Sequence, residues 1–122
     1  DAGEVRARQG RGDAGRRALV EEDEPGVEAV TRWRVLRRLG RASELEVQLG
    51  TGRTHQVRVA MASLGCPVLG DRVYAKGHAD ARAPRMMLHA WSLELDHPRT
   101  GARLRAESPL PESWLQAVAG LG

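Results

Sequence analysis

Between Leu49 and Thr54 the apolar period of this chain changes from two residues to between three and four, and that change restricts the fold more than any other feature. Before it, residues 43–50 (SELEVQLG) set Leu45, Val47 and Leu49 on one side and Glu44, Glu46 and Gln48 on the other. That is the pattern of a half-buried strand. After it, residues 54–64 (THQVRVAMASL) place Val57, Ala60, Met61 and Leu64 at i, i+3, i+4 and i+7, a helix face. Thr51-Gly52-Arg53 must then be a tight strand-to-helix turn. Thr54 is placed to cap the helix start, and Gly65 stands where a C-terminal capping glycine belongs.

The same reading extends in both directions. Residues 27–38 (VEAVTRWRVLRR) alternate through Val27, Ala29, Thr31, Trp33 and Val35, and Gly40-Arg41 supplies a turn into 43–50, so the two strands form a hairpin. Residues 65–85 are irregular, with Gly65, Pro67, Gly70, Gly77 and Pro84. Trp91, Leu93 and Leu95 alternate again. A turn at residues 97–101 leads to a return strand with Leu104 and Ala106, and residues 111–119 (PESWLQAVA) read as a short helix. Residues 1–26 are rich in Gly, Arg and acids and read as loop or weak strand, with a solvated acidic run at Glu21, Glu22, Asp23, Glu24 and Glu28. Hairpin-linked strands with helices on one side make an α+β fold, a mixed, mainly antiparallel β-sheet with flanking helices. The three tryptophans, Trp33, Trp91 and Trp114, are expected in the core, since their strand phase and late-helix position point inward.

Apolar periodicity begins only near Val27, so the core rests on residues 27–119 of the 122, a small core for a domain standing alone. The chain begins at Asp1 rather than Met, and 1–26 is read as a loop-rich N-terminal segment continuing from a missing upstream part. Cys66 is the sole cysteine, which rules out an intrachain disulfide and a thiolate metal cluster, and His55, His78, His89 and His97 show no ligand spacing. No metal or cofactor is expected. No apolar run approaches the ~20 residues of a membrane span, and a reducing cytoplasm is the expected location.

Net charge is +3 and the pI about 10.0. From Thr31 to Arg58 seven arginines (32, 34, 37, 38, 41, 53, 58) face two acids, Glu44 and Glu46, a local excess of five positive charges. Such an excess suits RNA. Because 18 of the 19 basic residues are Arg, a GC-rich genome explains the skew equally well.

Chemistry concentrates in residues 51–59 (TGRTHQVRV). Helical spacing sets Thr54, His55 and Arg58 on one polar side. Arg58 there can bind a carboxylate or a phosphate through two parallel hydrogen bonds, and the N–H groups of the helix start attract anions. The bland alternative is an exposed amphipathic helix with ordinary surface polar groups.

This segment resembles the motif in which RluA-like RNA pseudouridine synthases place an arginine beside the catalytic aspartate. Residues 29–36 (AVTRWRVL) resemble the strand before that motif. Residues 64–74 (LGCPVLGDRVY) resemble the loop after it, and 88–101 (LHAWSLELDHPRTG) and 108–114 (SPLPESW) the last strands and helix. On this resemblance, 27–119 is the C-terminal part of the catalytic domain. The implied activity isomerises uridine to pseudouridine in ribosomal or transfer RNA. An aspartate breaks the bond between uracil N1 and ribose, and the base turns and rejoins through C5, without cofactor or metal, after being flipped from its stack. Arg58 would pair with that aspartate, and Arg53, Thr54, His55 and Gln56 would build the pocket wall or hold RNA phosphate. His89 would be structural.

The resemblance has gaps. The family's His-Arg-Leu-Asp motif, which carries the aspartate, is absent from these 122 residues, Tyr74 is not in the motif of the pocket tyrosine, and Ala60 and Cys66 stand where histidines are usual. Asp71 and Asp96 are not expected to substitute, and a turn role accounts for Asp71. The expectation is a synthase fragment that is inactive alone. It should have an open sheet edge and exposed apolar surface. The alternatives are a non-catalytic RNA-binding module and, less favoured by four motifs in order, a protein-interaction domain.

Overall fold

The alternating run at 27–38 becomes the spine of a four-stranded antiparallel sheet. The computed structural model describes residues 1–11, 17–20, 27–78 and 81–121. Its strands are β1 (Ala2–Arg11), β2 (Arg17–Val20), β3 (Val27–Arg38), β4 (Ser43–Leu49), β5 (Ser92–Asp96) and β6 (Arg103–Glu107), and its helices are α1 (Gln56–Ser63) and α2 (Glu112–Ala119). The strand order is β2-β1-β3-β4, and β5 and β6 form a separate two-stranded ribbon. Every pairing between described strands is antiparallel.

The N-terminal stretch departs from the loop-rich reading. β1 pairs with β3 from Ala2↔Arg34 to Gln9↔Val27 and with β2 from Arg8↔Val20 to Arg11↔Arg17. Its composition hides it. Of its apolar positions only Val5 is a strong strand former. What holds it is the backbone ladder and cross-strand charge, Glu4 with Arg32 and Arg6 with Glu28. The remainder of the acidic run, at 21–24, lies outside the described residues.

On the opposite face Gly3 lies across from Trp33. A Cβ at Gly3 would come within 2.7 Å of the indole, so the glycine makes room for the ring to lie over β1. Trp33 and Trp114 are half-buried, but Trp91 is 46% exposed, contrary to the expectation of core packing. Trp91 leads into the β5–β6 ribbon, whose apolar face is open among the described residues, with Leu93 60% exposed. Among the described residues the buried apolar side chains are Ala29, Val30, Val59, Ala60, Met61, Ala75 and Ala81, fewer than the pattern over 27–119 suggested.

Helix α1 lies against β2 and β3. Its buried residues are Gln56, Val59, Ala60 and Met61, while Leu64, placed on the apolar face by periodicity, is 47% exposed. Thr54 does not cap it; the N-cap is His55, with no side-chain cap bond. Gly65 does end it, with φ at +77°. Helix α2 is tied back by Trp114 Nε1, which donates to Glu44 on β4 at 3.2 Å, and by Arg85 Nη1, which donates to Ser113 Oγ. His89 donates through Nε2 to the Ser108 carbonyl at 2.8 Å.

The irregular stretch 65–91 folds back on itself at Gly70, which takes φ +79° and donates its N–H to the Ala81 carbonyl. A Cβ there would sit 2.0 Å from the Arg85 carbonyl oxygen. Gly70→Ala should therefore lower stability by at least ~2 kcal/mol, through backbone strain and overlap together. Gly52→Ala, where nothing lies within 4 Å, should be close to neutral. Thermal unfolding of the two variants checks the difference.

Candidate active site

Beyond the last β3–β4 rung at Thr31↔Leu49, β4 leaves the sheet with one more backbone bond, from the Gly50 N–H to the Val30 carbonyl at 3.0 Å, so the Val30 N–H and the second lone pair of its carbonyl need side-chain partners. Thr51 and Gln56 provide them. The Val30 N–H donates to Thr51 Oγ1 at 2.9 Å, and Thr51 Oγ1 donates to Gln56 Oε1 at 2.8 Å. Gln56 Nε2 then donates to the Val30 carbonyl at 2.7 Å and to Thr31 Oγ1 at 3.0 Å. Gln56 Oε1 also accepts the Arg53 N–H at 2.9 Å, holding the turn just before α1.

Gln56 was expected to line the pocket or hold phosphate. It is instead 3% exposed, with both amide hydrogens and both oxygen lone pairs engaged, so no polar group is left for a ligand. Sequence spacing missed this because glutamine is counted as polar. Here its polarity is used inward, tying the start of α1 to the end of the β3–β4 pairing.

The other expected residues go to different places. Arg53 is exposed and donates through Nε to the Glu28 carbonyl at 2.7 Å. Thr54 is exposed. His55 and Arg58 converge on Tyr74. His55 Nδ1 lies 2.9 Å from the Tyr74 hydroxyl, and the Arg58 guanidinium lies over the Tyr74 ring, 5.0 Å from its centre. His55 holds φ at 54°, the sole non-glycine residue with positive φ among those described. Left-handed backbone at such a residue costs about 1 kcal/mol and concentrates at functional sites.

Arg58 has a partner within this chain that the sequence reading did not assign. Its Nε and Nη2 donate to the two carboxylate oxygens of Asp71 at 2.8 and 2.9 Å. The Asp71 side chain is fully buried and that of Arg58 is 13% exposed. Asp71 Oδ1 also accepts the N–H groups of Val73 and Tyr74, so the expected turn role is present as well. One signal was available. Between Glu46 and Glu94 the chain has two acids, Asp71 and Asp80, and a partly buried arginine there has few counter-ions to choose from. Burial pushes the Asp71 carboxyl up, but the Arg58 hydrogen bond, the two backbone N–H groups and the Arg58 charge outweigh it and bring it to about 2. Arg58 is raised above its usual value, chiefly by its hydrogen bond to Asp71. Arg58 also borders a cavity of about 330 Å³ with Arg72 and Arg85.

The apparent basic stretch loses most of its charge on folding. Arg32 pairs with Glu4, Arg34 with Glu46, Arg37 with Glu44, Arg38 with Asp1 and Arg58 with Asp71. Five of the seven arginines are thus matched by carboxylates, three of which lie outside residues 31–58. Among the described residues no group of three or more His, Cys, Asp or Glu is arranged to hold a metal ion. No helix among them is long and apolar enough to cross a membrane.

Residues 3–63, which include β3, β4, the turn and α1, match the family model described as RNA pseudouridylate synthase. The chain belongs to that family. It is 43% identical over 116 residues to the ribosomal large subunit pseudouridine synthase D of Nitrosomonas europaea, covering 87% of this chain and 33% of that protein. It is 38% identical over 122 residues to an RNA pseudouridine synthase of Bacillus subtilis, covering 99% of this chain and 39% of the other. The chain spans about a third of the length of the curated relatives it matches. Among solved structures, human RNA pseudouridylate synthase domain containing 1 superposes with a TM-score of 0.75 at 28% identity, over 90% of this chain and 49% of that one. These relationships establish the antiparallel α+β fold as that of the pseudouridylate synthase domain.

Two outcomes follow from this geometry. Gln56→Leu strands the Thr51 hydroxyl and the Arg53 N–H and should cost about 2–4 kcal/mol, read as a fall in the unfolding midpoint. The Asp71 carboxyl titrates at about 2 when folded and near 3.8 when unfolded. Its stabilisation is therefore full above about pH 4 and fades as pH falls from 4 towards 2. Denaturant titrations across that window should show an acid-side loss of about 2 kcal/mol that Asp71→Asn lacks.

Proposed function

We propose that this chain forms part of the active site of an RNA pseudouridine synthase, with Arg58 facing a nucleophilic aspartate supplied from outside these 122 residues. The observation that carries this reading is Arg58 itself, a mostly buried guanidinium on the helix that follows the family-matched hairpin, stacked on Tyr74 and bordering a cavity. A guanidinium fixed there donates hydrogen bonds that favour the ionised form of a neighbouring carboxylate and orient it for attack. His55, Arg53 and Thr54 lie at the exposed start of the same helix and would contact the RNA around the flipped uridine. Gln56 would frame the site from behind. No step in this chemistry calls for a cofactor.

The name of the Nitrosomonas relative favours ribosomal RNA over transfer RNA as the substrate, and the cytoplasm is the matching location. The absence of the His-Arg-Leu-Asp motif from these residues supports a missing contribution, in keeping with the one-third span of the relatives. A non-catalytic RNA-binding module is the weaker reading, because the local charge excess that motivated it is largely paired within the sheet.

Uridine-to-pseudouridine conversion should appear when a segment carrying His-Arg-Leu-Asp is joined upstream of residue 1, and Arg58→Ala should reduce it by at least ~100-fold. Residues 1–122 alone should be inactive. Full turnover by them, detected as pseudouridine by mass spectrometry of digested ribosomal RNA, would overturn the reading.

A further inference from the structure

We propose that Asp71 is the positioning residue for Arg58: it holds the guanidinium side-on, so that the Nη1 edge is presented to the second anion of the active site. This rests on the function proposed above and adds to it a residue that the aspartate–arginine pair alone does not require.

The geometry is specific. A guanidinium has two edges that can each grip a carboxylate. Asp71 takes the Nε–Nη2 edge with both oxygens, at 2.8 and 2.9 Å. Among the described residues Nη1 makes no hydrogen bond, so the end-on edge stays open while the side-on edge is closed. Asp71 can serve as a fixed point because it is itself fixed. Its side chain is fully buried, the Val73 and Tyr74 N–H groups hold Oδ1, and its own N–H donates to the Val68 carbonyl at 3.1 Å. The turn that anchors Asp71 also delivers Tyr74, whose ring lies under the guanidinium and whose hydroxyl meets His55. Residues 71–74 thus set the height, tilt and rotation of the Arg58 head group relative to α1.

The charge arithmetic agrees. The Arg58–Asp71 pair is neutral as a unit, so a second carboxylate gains mainly from directed hydrogen bonds at Nη1 rather than from net charge. Direction is what a clamp supplies. A free arginine would lose rotamer entropy each time it met the nucleophile, whereas this one has already lost it on folding.

The test is a double-mutant cycle in the whole synthase carrying this segment, active with Arg58 intact. Asp71→Ser keeps a hydroxyl to accept the Val73 and Tyr74 N–H groups and removes the clamp. Arg58→Lys keeps the charge but has no fork to clamp. Asp71→Ser should lower kcat about 100-fold with little change in KM, and should cost little more in the Arg58→Lys background. It should also shift the acid limb of the pH–rate profile to lower pH, since the nucleophile would then face an uncompensated cation. Equal losses in both backgrounds, with an unmoved acid limb, would show that Asp71 acts only through the turn and would overturn the proposal. The Arg58 Nε–H resonance, slowly exchanging in the parent and fast in Asp71→Ser, reads the clamp without activity; fast exchange in the parent also overturns it. Failure of the parent to form pseudouridine would overturn the proposed function, and the positioning role with it.

Discussion

The site depends on how β3 ends its pairing with β4. Where β4 peels away, the Gly50 N–H still reaches the Val30 carbonyl, but the Val30 N–H would be left without a partner, at a cost of about 1–3 kcal/mol. Thr51 and Gln56 close a ring of hydrogen bonds onto the Val30 N–H and carbonyl. The ring joins sheet, turn and helix in one rigid unit, and the N–H of Arg53 is drawn into it. The direction of α1, and so of Arg58 in its first turn, follows from that ring. Polar residues at the junction therefore do structural work that apolar packing cannot, since the local core is built of alanines, valines and one methionine.

A second constraint acts on charge. Arg32 and Arg34 of β3 alternate with apolar residues and so share one face of the sheet, where Glu4 meets Arg32 from β1, Glu46 meets Arg34 from β4, and Glu28 of β3 meets Arg6 of β1. Exposed pairs of this kind contribute little stability individually. Their effect is on the field, because they cancel a positive stripe that the linear sequence displays. Arg58 differs from them in being mostly buried and in gripping a fully buried carboxylate. That combination gives its partner a markedly lowered titration point while the surface pairs remain adjustable.

Much of the architecture was legible in residue patterns. The β3–β4 hairpin, the helix after Thr51-Gly52-Arg53, the glycine at its C-terminal end, the β5–β6 turn and the last helix each stand where period and turn chemistry place them. β1 was not legible, because a strand of small and charged residues has no periodic apolar signal and is held by its neighbour's backbone. The exposure of Trp91 was not legible either. Alternation reports which residues share a face, and says nothing about whether another layer covers it.

For the site, the residue types were readable and the partners were not. The sequence by itself determined that an arginine, a histidine and a glutamine would sit within the first turns of one helix behind a glycine turn, since 3.6-residue spacing is a local property of the chain. Only the tertiary structure decided that the glutamine turns into the sheet, that the histidine meets Tyr74, and that Asp71, thirteen residues on, grips the arginine. Those contacts join segments whose approach is set by the burial of β3 and the fold-back at Gly70. Such approach is a property of packing between elements, which no local period encodes.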